Sequence, residues 1–333
     1  MKPPKLHNRR TTLRAGCALI ASTLLAWSIP ATAQTTWPER PIRIIVPYAA
    51  GQGADVLTRL LTQELAKTLN QPFVVENRAG AGANIGTAVA AKSAPDGYTF
   101  LLGTNATHAA NEFLYSNLGF SPSTDFEGVA MIGLLPMVIS TSSPDFPTNG
   151  IPELIARARA NPKTLNVGLP STTASVVLAQ FEKVAQAPLF GVKYKSSAQS
   201  MTDVLGGQIP LTIDTVTAAR AHIASGKLRA LGITSLKASE MLPGVKSVAE
   251  QGVSGFDVVA WDALFAPRGT PRDVVQKLSE HIQRALQQPE TRRKMQEIGI
   301  EPLYMGASQL DAFVKDERLK WGGIIKAADI RID

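Results

Sequence analysis

The sequence predicts an α/β protein of two lobes with mainly parallel sheets and two crossover strands. Three observations carry that expectation. Short β-branched runs alternate with amphipathic helical stretches from Pro41 onward, the pattern of βαβ units. The rhythm restarts after Asn149. Two long apolar runs, Val129–Thr141 and Phe256–Phe265, fit no simple βαβ unit and stand symmetrically about the middle segment. Read as crossover strands, they assign residues 34–134 and 262–333 to lobe one and residues 135–261 to lobe two.

The elements follow in order. Pro41–Pro47 is a β-branched run bounded by prolines, which suit strand ends. Beyond the Gly51/Gly53 loop, Val56, Leu57, Leu60, Leu61, Leu65 and Leu69 recur at helical spacing. A strand is expected at Phe73–Glu76, a glycine-rich turn and helix at Gly80–Lys92, and a strand at Tyr98–Leu102 after the Asp96-Gly97 turn. In the second half a helix covers Pro152–Ala160, with proline in its first turn. A strand at Leu165–Leu169 and a helix from Thr173 to Ala187 come next. Strands are expected near Leu189–Val192, Ile209–Ile213 and Leu228–Thr234, with helices between. Val274, Val275, Leu278, Ile282, Ala285 and Leu286 mark one face of a helix starting at Pro271; another follows Pro289 and a last covers Ser308–Ile325.

Composition narrows the function classes. The 333 residues are 44% hydrophobic and 18% charged, which excludes a disordered or collagen-like chain. The net charge of +7 is unevenly placed. Residues 1–33 hold five basic residues and no acidic one, leaving 29 basic against 27 acidic residues in the rest. A body so nearly balanced has no electrostatic footprint for nucleic acid.

Those first 33 residues have the three parts of an export signal. A basic segment ends at Arg14, an apolar segment runs from Ala15 to Ile29, and Ala31-Thr32-Ala33 supplies a cleavage site. The apolar segment falls short of the ~20 residues that span a bilayer. Asn8–Arg14 resembles a twin-arginine signal, and an ordinary secretory signal with adjacent arginines reads equally well. Arg14 stands where a lipoprotein signal wants leucine, so Cys17 is not read as a lipid anchor. A periplasmic chain cleaved near Ala33 is expected, with monomer as the default state. It would lack cysteine altogether, which excludes disulfides, a thiol nucleophile and thiolate metal sites.

Gly51-Gln52-Gly53-Ala54-Asp55 follows a strand and opens a helix. Backbone N–H groups and the helix dipole make such a turn an anion site; a bare turn steadied by Asp55 is the alternative. A dinucleotide fingerprint would need a third glycine where Val56 stands. Gly80-Ala81-Gly82-Ala83-Asn84-Ile85-Gly86 has the wrong glycine spacing for that fingerprint, and close backbone packing explains it better. Gly103-Thr104-Asn105 and Pro170-Ser171-Thr172-Thr173 each follow a strand, where ligands bind in parallel sheets. Their hydroxyls can meet a carboxylate or simply cap helices. No nucleophile elbow or P-loop occurs. His108, His222 and His281 are far apart and read as structural or surface residues, so no metal or cofactor is expected.

Taken together and in order, several segments resemble the Bug-type family, the solute-binding receptors of tripartite tricarboxylate transporters. They are Trp37–Arg43, Val46-Pro47-Tyr48 with the loop to Asp55, Val75–Ala81, Pro95–Thr99, Val192–Lys195, Gly206-Gly207-Gln208, Gly226–Leu231 and Phe265-Ala266-Pro267 with Thr270-Pro271. The resemblance spans nearly all of the chain beyond the leader. It implies a two-lobed, periplasmic-binding-protein-like (type II) fold that closes on a small carboxylate without chemistry and serves membrane transporter subunits. By position it implies ligand contacts from Tyr48, Ala50, Gly51, Gly53, Asp55, Thr104 and Asn105 in lobe one, where Gln52 is expected to add a polar side chain to the ligand site. Ser171, Thr172, Thr173, Lys195 and Asp214 would serve in lobe two. An acidic Asp55 beside an anion needs a bridging water or a helix-cap role.

The chain departs from the family pattern at Gln52, where a second glycine is usual. Pro170–Val176 lacks the usual glycines and histidine, and Ser196 replaces a common glycine. The ligand class therefore stays open among di- and tricarboxylates, acidic amino acids and aromatic acids. Two other readings stand beside transport: an exported sensor for a carboxylate, and an exported hydrolase or isomerase using Asp55 or Asp214 with His108.

Overall fold

Strand β1 (Ile42–Val46) sets the first half of the molecule, with Ile42, Ile44, Ile45 and Val46 all fully buried. The computed structural model describes residues 1–3 and 37–332. The expected export signal and its cleavage site at Ala33 therefore lie almost wholly outside the described residues. Helix α1 (Gly53–Leu69) turns Leu57, Leu61 and Leu65 inward; burying each such side chain is worth about 1.5–3 kcal/mol. The helix stops at Asn70, whose φ of 50° is the left-handed conformation asparagine tolerates. β1 pairs in parallel with β2 (Phe73–Asn77) and β3 (Thr99–Thr104). Between β2 and β3, helix α2 (Asn84–Ala91) follows a short 3-10 turn over Ala81–Ala83, and the short helix α3 (Asn111–Leu114) comes after β3.

The run expected as the first crossover is two strands. β4 (Phe126–Leu135) and β5 (Met137–Thr141) are separated by Pro136 and belong to different sheets. The second half then builds β6 (Asn166–Leu169), β7 (Phe190–Lys193), β8 (Leu211–Thr215) and β9 (Arg229–Ile233). Its helices are α4 (Ile151–Ala160), α5 (Thr172–Ala185), α6 (Ser197–Leu205) and α7 (Val216–Ala224). The return run becomes a strand, β10, only over Ala260–Pro267. The stretch before it is tied to the end of β9 instead: the Val258 N–H donates to the Thr234 carbonyl, and Thr234 Oγ1 donates to the Val258 carbonyl.

Helices α8 (Arg272–Gln287) and α9 (Pro289–Glu297), strand β11 (Glu301–Gly306) and helix α10 (Ala307–Ala327) complete the chain. β11 had no counterpart among the expected strands. It is short, contains Pro302 and sits at a sheet edge, where proline is tolerated.

One sheet has the order β11-β4-β10-β3-β1-β2 and the other β7-β6-β8-β5-β9. Both are mixed, which corrects the expectation of mainly parallel sheets. The βα units are parallel, whereas β10 runs antiparallel to β3 and β4, β11 to β4, and β5 to β8 and β9. The cause is the crossing itself, because β4 leaves one half and β10 returns to it from the opposite end. In the six-stranded half, the indole N–H groups of buried Trp261 and Trp321 both donate to Glu317 Oε2, at 2.9 and 2.7 Å, which satisfies a nearly buried carboxylate. The five-stranded half has its own core, including Val138, Met201, Val204, Ile209, Leu228 and Ile233.

Candidate functional site

The carboxyl ends of the parallel strands of both sheets converge on one cavity of about 50 Å³. Tyr48 lies just after β1, Thr104 ends β3 and Asn105 follows it. Ser171 and Thr173 follow β6, Ser197 opens α6 after β7, and Asp214 and Thr215 end β8. The crossing segments add Leu135, Met137, Ala260 and Asp262, and the α1 turn adds Gln52, Gly53 and Ala54. This is where open α/β sheets bind ligands. A larger groove of about 870 Å³ lies elsewhere, around β4, α8 and α10; its lining comes only from the half built on the six-stranded sheet. Of these two, only the smaller draws on both halves, and it is walled by strand ends of both sheets.

The first loop is built around Asp55. The N–H of Gly51 donates to its Oδ2 at 2.8 Å, Asn77 Nδ2 to its Oδ1 at 2.9 Å, and Arg59 Nε to its Oδ2 at 3.1 Å. Burial alone would raise the pKa of this carboxyl, but the donations from Arg59, Gly51 and Asn77 outweigh burial and hold it below the usual value. Gly51 takes a φ of +83°, which glycine adopts without strain. Gly53 is required for a different reason. A Cβ there would come within 2.9 Å of Leu135 Cδ2 and 3.5 Å of Thr215 Oγ1. The first backbone bond of α1 is Val56 N–H to the Gln52 carbonyl, so the amides of Gly53 and Ala54 precede the intrahelical ladder at the cavity wall.

Around this turn the hydroxyls are ordered. Tyr48 Oη and Thr104 Oγ1 are 2.7 Å apart, and burial pushes the Tyr48 phenol well above its usual pKa. Ser171 caps α5 by accepting from the Ala174 N–H at 3.2 Å while also lining the cavity, so capping and lining coexist at one residue. Asn105 Nδ2 donates to Thr173 Oγ1 at 2.8 Å, joining the two halves through a buried bond.

Two buried carboxyls face the same cavity. Asp214 Oδ1 accepts from Ser197 Oγ at 3.0 Å and from the Thr215 N–H at 2.8 Å, but its Oδ2 has no partner among the described residues. Asp262, paired in register with Thr104, likewise has an unpartnered Oδ2. Each residue is 2% exposed. Burial pushes Asp262 up to about 8 and Asp214 up to about 7, the latter against the two donations it receives.

Of the residues expected from sequence, the structure brings Tyr48, Gln52, Gly53, Thr104, Asn105, Ser171, Thr173 and Asp214 to the cavity. Ala50, Gly51 and Asp55 shape its first loop without lining it. Thr172 lies instead beside Gly82, where an added Cβ would meet Thr172 Oγ1 at 2.9 Å. Lys195 is exposed, and its backbone N–H donates to Gln199 Oε1. Residues that sequence reasoning missed are Ser197, Thr215 and above all Asp262. Its signal was an acid inside the otherwise apolar run Ala260–Pro267.

The glycine-rich segment at 80–86 is close packing, since a Cβ on Gly86 would meet the Arg78 carbonyl at 2.6 Å and Pro47 Cα at 2.9 Å. His108 lies outside the cavity lining, stacked on Phe265 at 3.7 Å. Among the described residues no group of His, Cys, Asp or Glu could hold a metal ion, and no helix is long and apolar enough to cross a membrane.

Two α/β halves, each with its own mixed sheet, and a cavity walled by the strand ends of both define a two-lobed, type II solute-binding protein. The chain belongs to the tripartite tricarboxylate transporter family receptors, whose family model matches residues 57–330. It is 35% identical over 300 residues to protein BugT of Bordetella pertussis, covering 89% of this chain and 92% of that one. Among solved structures it is similar to Rpa4515 of R. palustris with adipate, at 32% identity and a TM-score of 0.85, covering 89% of this chain and all of that one. The periplasmic binding protein BugD matches with the same coverage at 34% identity and a TM-score of 0.81. The matched family is one of transporter receptors and BugD is a periplasmic binding protein, which removes the hydrolase or isomerase reading.

Proposed function

We propose that the chain is a periplasmic receptor that captures a small carboxylate by lobe closure and delivers it to a tripartite tricarboxylate transporter. The observation that carries this reading is the cavity between the two sheets, where the α1 amides at Gly53 and Ala54 stand beside Tyr48, Thr104, Ser171 and Thr173. Helix N-terminal amides and hydroxyls are donors suited to a carboxylate. The adipate held by Rpa4515 supports the ligand class, and the signal-like leader supports export. Lobe one is taken as residues 34–134 with 262–333 and lobe two as 135–261, a division supported by membership of the two sheets.

Closure lets both strand-end loops contact the ligand at once and presents a changed surface to the membrane subunits. Charge-assisted hydrogen bonds contribute about 1.5–3 kcal/mol each. A few of them, less ordering costs, reach the about −8 kcal/mol of micromolar binding. The test is a thermal-shift screen of residues 34–333, unfolded and refolded to remove any carried ligand, against aliphatic, aromatic and amino-acid carboxylates. A ligand at about 100 times its dissociation constant adds ~2.7 kcal/mol and raises the midpoint. A flat response to the whole panel would remove the reading.

A further inference from the structure

Among the described residues the cavity lining contains two carboxyl side chains and no lysine, arginine or histidine. That is an unusual wall for a site that holds an anion. The hydroxyls and the α1 amides account for one carboxylate, but no basic group is present for a second. Asp214 and Asp262 come from opposite halves, β8 of one sheet and β10 of the other, and each presents an unpartnered Oδ2 with the residue 2% exposed. Buried polar atoms are satisfied as a rule, and the exceptions need an explanation. Asp214 is partly held already, through its Oδ1, whereas Asp262 stands within an otherwise apolar strand with its Oδ2 unpartnered among the described residues.

Resting on the receptor reading above, we infer that Asp262, with Asp214 facing the same cavity, selects carboxylates that also carry a protonated amine. An ammonium has three donors and no acceptor. It can therefore satisfy an Oδ2 from each lobe at once, and binding would draw the lobes together through the ligand. The ligand carboxylate then lies toward the α1 turn and its amine toward β8 and β10. Asp262 is thus a specificity-determining residue, while the hydroxyl and amide set serves any carboxylate.

The experiment is calorimetric titration of refolded residues 34–333 with matched pairs that differ only in the amine: L-aspartate and succinate, L-glutamate and glutarate, 4-aminobutyrate and butyrate. The expected result is at least one pair in which the amine-bearing member binds about tenfold tighter or more, since a charge-assisted bond is worth that ratio. In Asp262→Asn, an isosteric change, that ratio collapses toward one through loss of the amine-bearing ligand. Asp214→Asn provides the same readout should the first variant fold poorly.

Equal or tighter binding of the amine-free members overturns the inference while leaving the carboxylate receptor standing; it is the result expected if protonated aspartates grip a dicarboxylate. An unchanged ratio in both variants also overturns it. Binding by no member of any pair, with a flat wider panel, would remove the receptor reading itself and this inference with it.

Discussion

Asn105 Nδ2 donates to Thr173 Oγ1 at 2.8 Å, and this buried bond ties the strand-end loop of β3 to the first turn of α5. The two residues follow strands of different sheets, β3 and β6, so the bond holds only while the two halves stay together. Asn105 is also held in place through its Oδ1, which accepts from the Trp261 N–H at 3.4 Å. Under the proposed lobe closure this bond is a latch, with Asn105 positioned independently of any ligand.

Removing either partner leaves a buried polar atom unsatisfied in the closed form, at a cost of about 1–3 kcal/mol. Asn105→Ala and Thr173→Val are each expected to weaken binding of the tightest panel ligand by about 5–100-fold. The double variant should lose little more than the worse single one, because both changes break the same bond. Calorimetric affinities of the four proteins check this, and full additivity would contradict the latch.

Gly53 gives a steric version of the same test. In Gly53→Ala the new methyl meets Leu135, Thr215 and Thr217, three residues outside its own loop. Alanine is the better helix former by about 1 kcal/mol, so the ligand-free thermal midpoint should hold or rise. Affinity is expected to fall about tenfold or more, because the methyl both wedges the closed lobes and fills part of a cavity of only about 50 Å³. Unchanged affinity with a lowered midpoint would mean that Gly53 serves folding alone.

Asp214 and Asp262 make ligand-free stability depend on pH in a direction opposite to the usual carboxylate. Burial raises them to about 7 and about 8 from 3.8, so between pH 4 and 8 the folded chain holds protons that the unfolded chain has lost. Stability therefore falls as pH rises through that window, by up to about 1.4 kcal/mol per pH unit for each group, and levels off above it. Asp262→Asn removes one such group. Relative to the parent, this variant should gain stability steadily from pH 5 to pH 8 in urea melts of ligand-free protein. Asp55 and Glu76, held low by their arginine partners, act at lower pH and are common to both proteins. Parallel curves would show that Asp262 is not a buried acid.

The parts of this molecule legible in sequence are those set by local pattern. The Val274–Leu286 stripe is the buried face of α8, and Thr104, Asn105, Ser171 and Thr173, placed at the ends of β3 and β6, reach the cavity because strand ends in a βα unit do so. The direction of strand pairing is non-local, so the antiparallel neighbours of β5 and β10 left no trace in the pattern. β11 was hidden by its length and by Pro302. Lys195 follows β7, an edge strand, and its side chain stays in solvent, whereas Ser197 two residues on opens α6 into the cavity. Asp262 was the strongest missed signal, because the run Phe256–Phe265, read only for its apolar character, conceals two acids, Asp257 and Asp262, of which Asp262 is the buried one.

His108 separates a structural histidine from a chemical one. Its ring stacks on Phe265 at 3.7 Å and meets Phe126 edge-on at 5.2 Å, while Nδ1 is 2.8 Å from Thr107 Oγ1 and Nε2 has no partner among the described residues. Burial first, and the charge of Arg318 second, lower its pKa to about 3, so it is neutral in the folded chain. Unfolded, it takes up a proton near 6.5, so its contribution to stability is complete above that pH and is lost as pH falls toward 3. His108→Leu sacrifices the stacking, at about 1 kcal/mol or more near neutrality. It also removes this acid liability, so the gap to the parent should narrow steadily from pH 6.5 to pH 4 in urea melts. Ligand affinity at pH 7.5 should stay within about twofold, because a residue outside the cavity lining carries no ligand contact. A large loss of binding in a variant that still folds would put His108 in the ligand machinery and overturn its structural role.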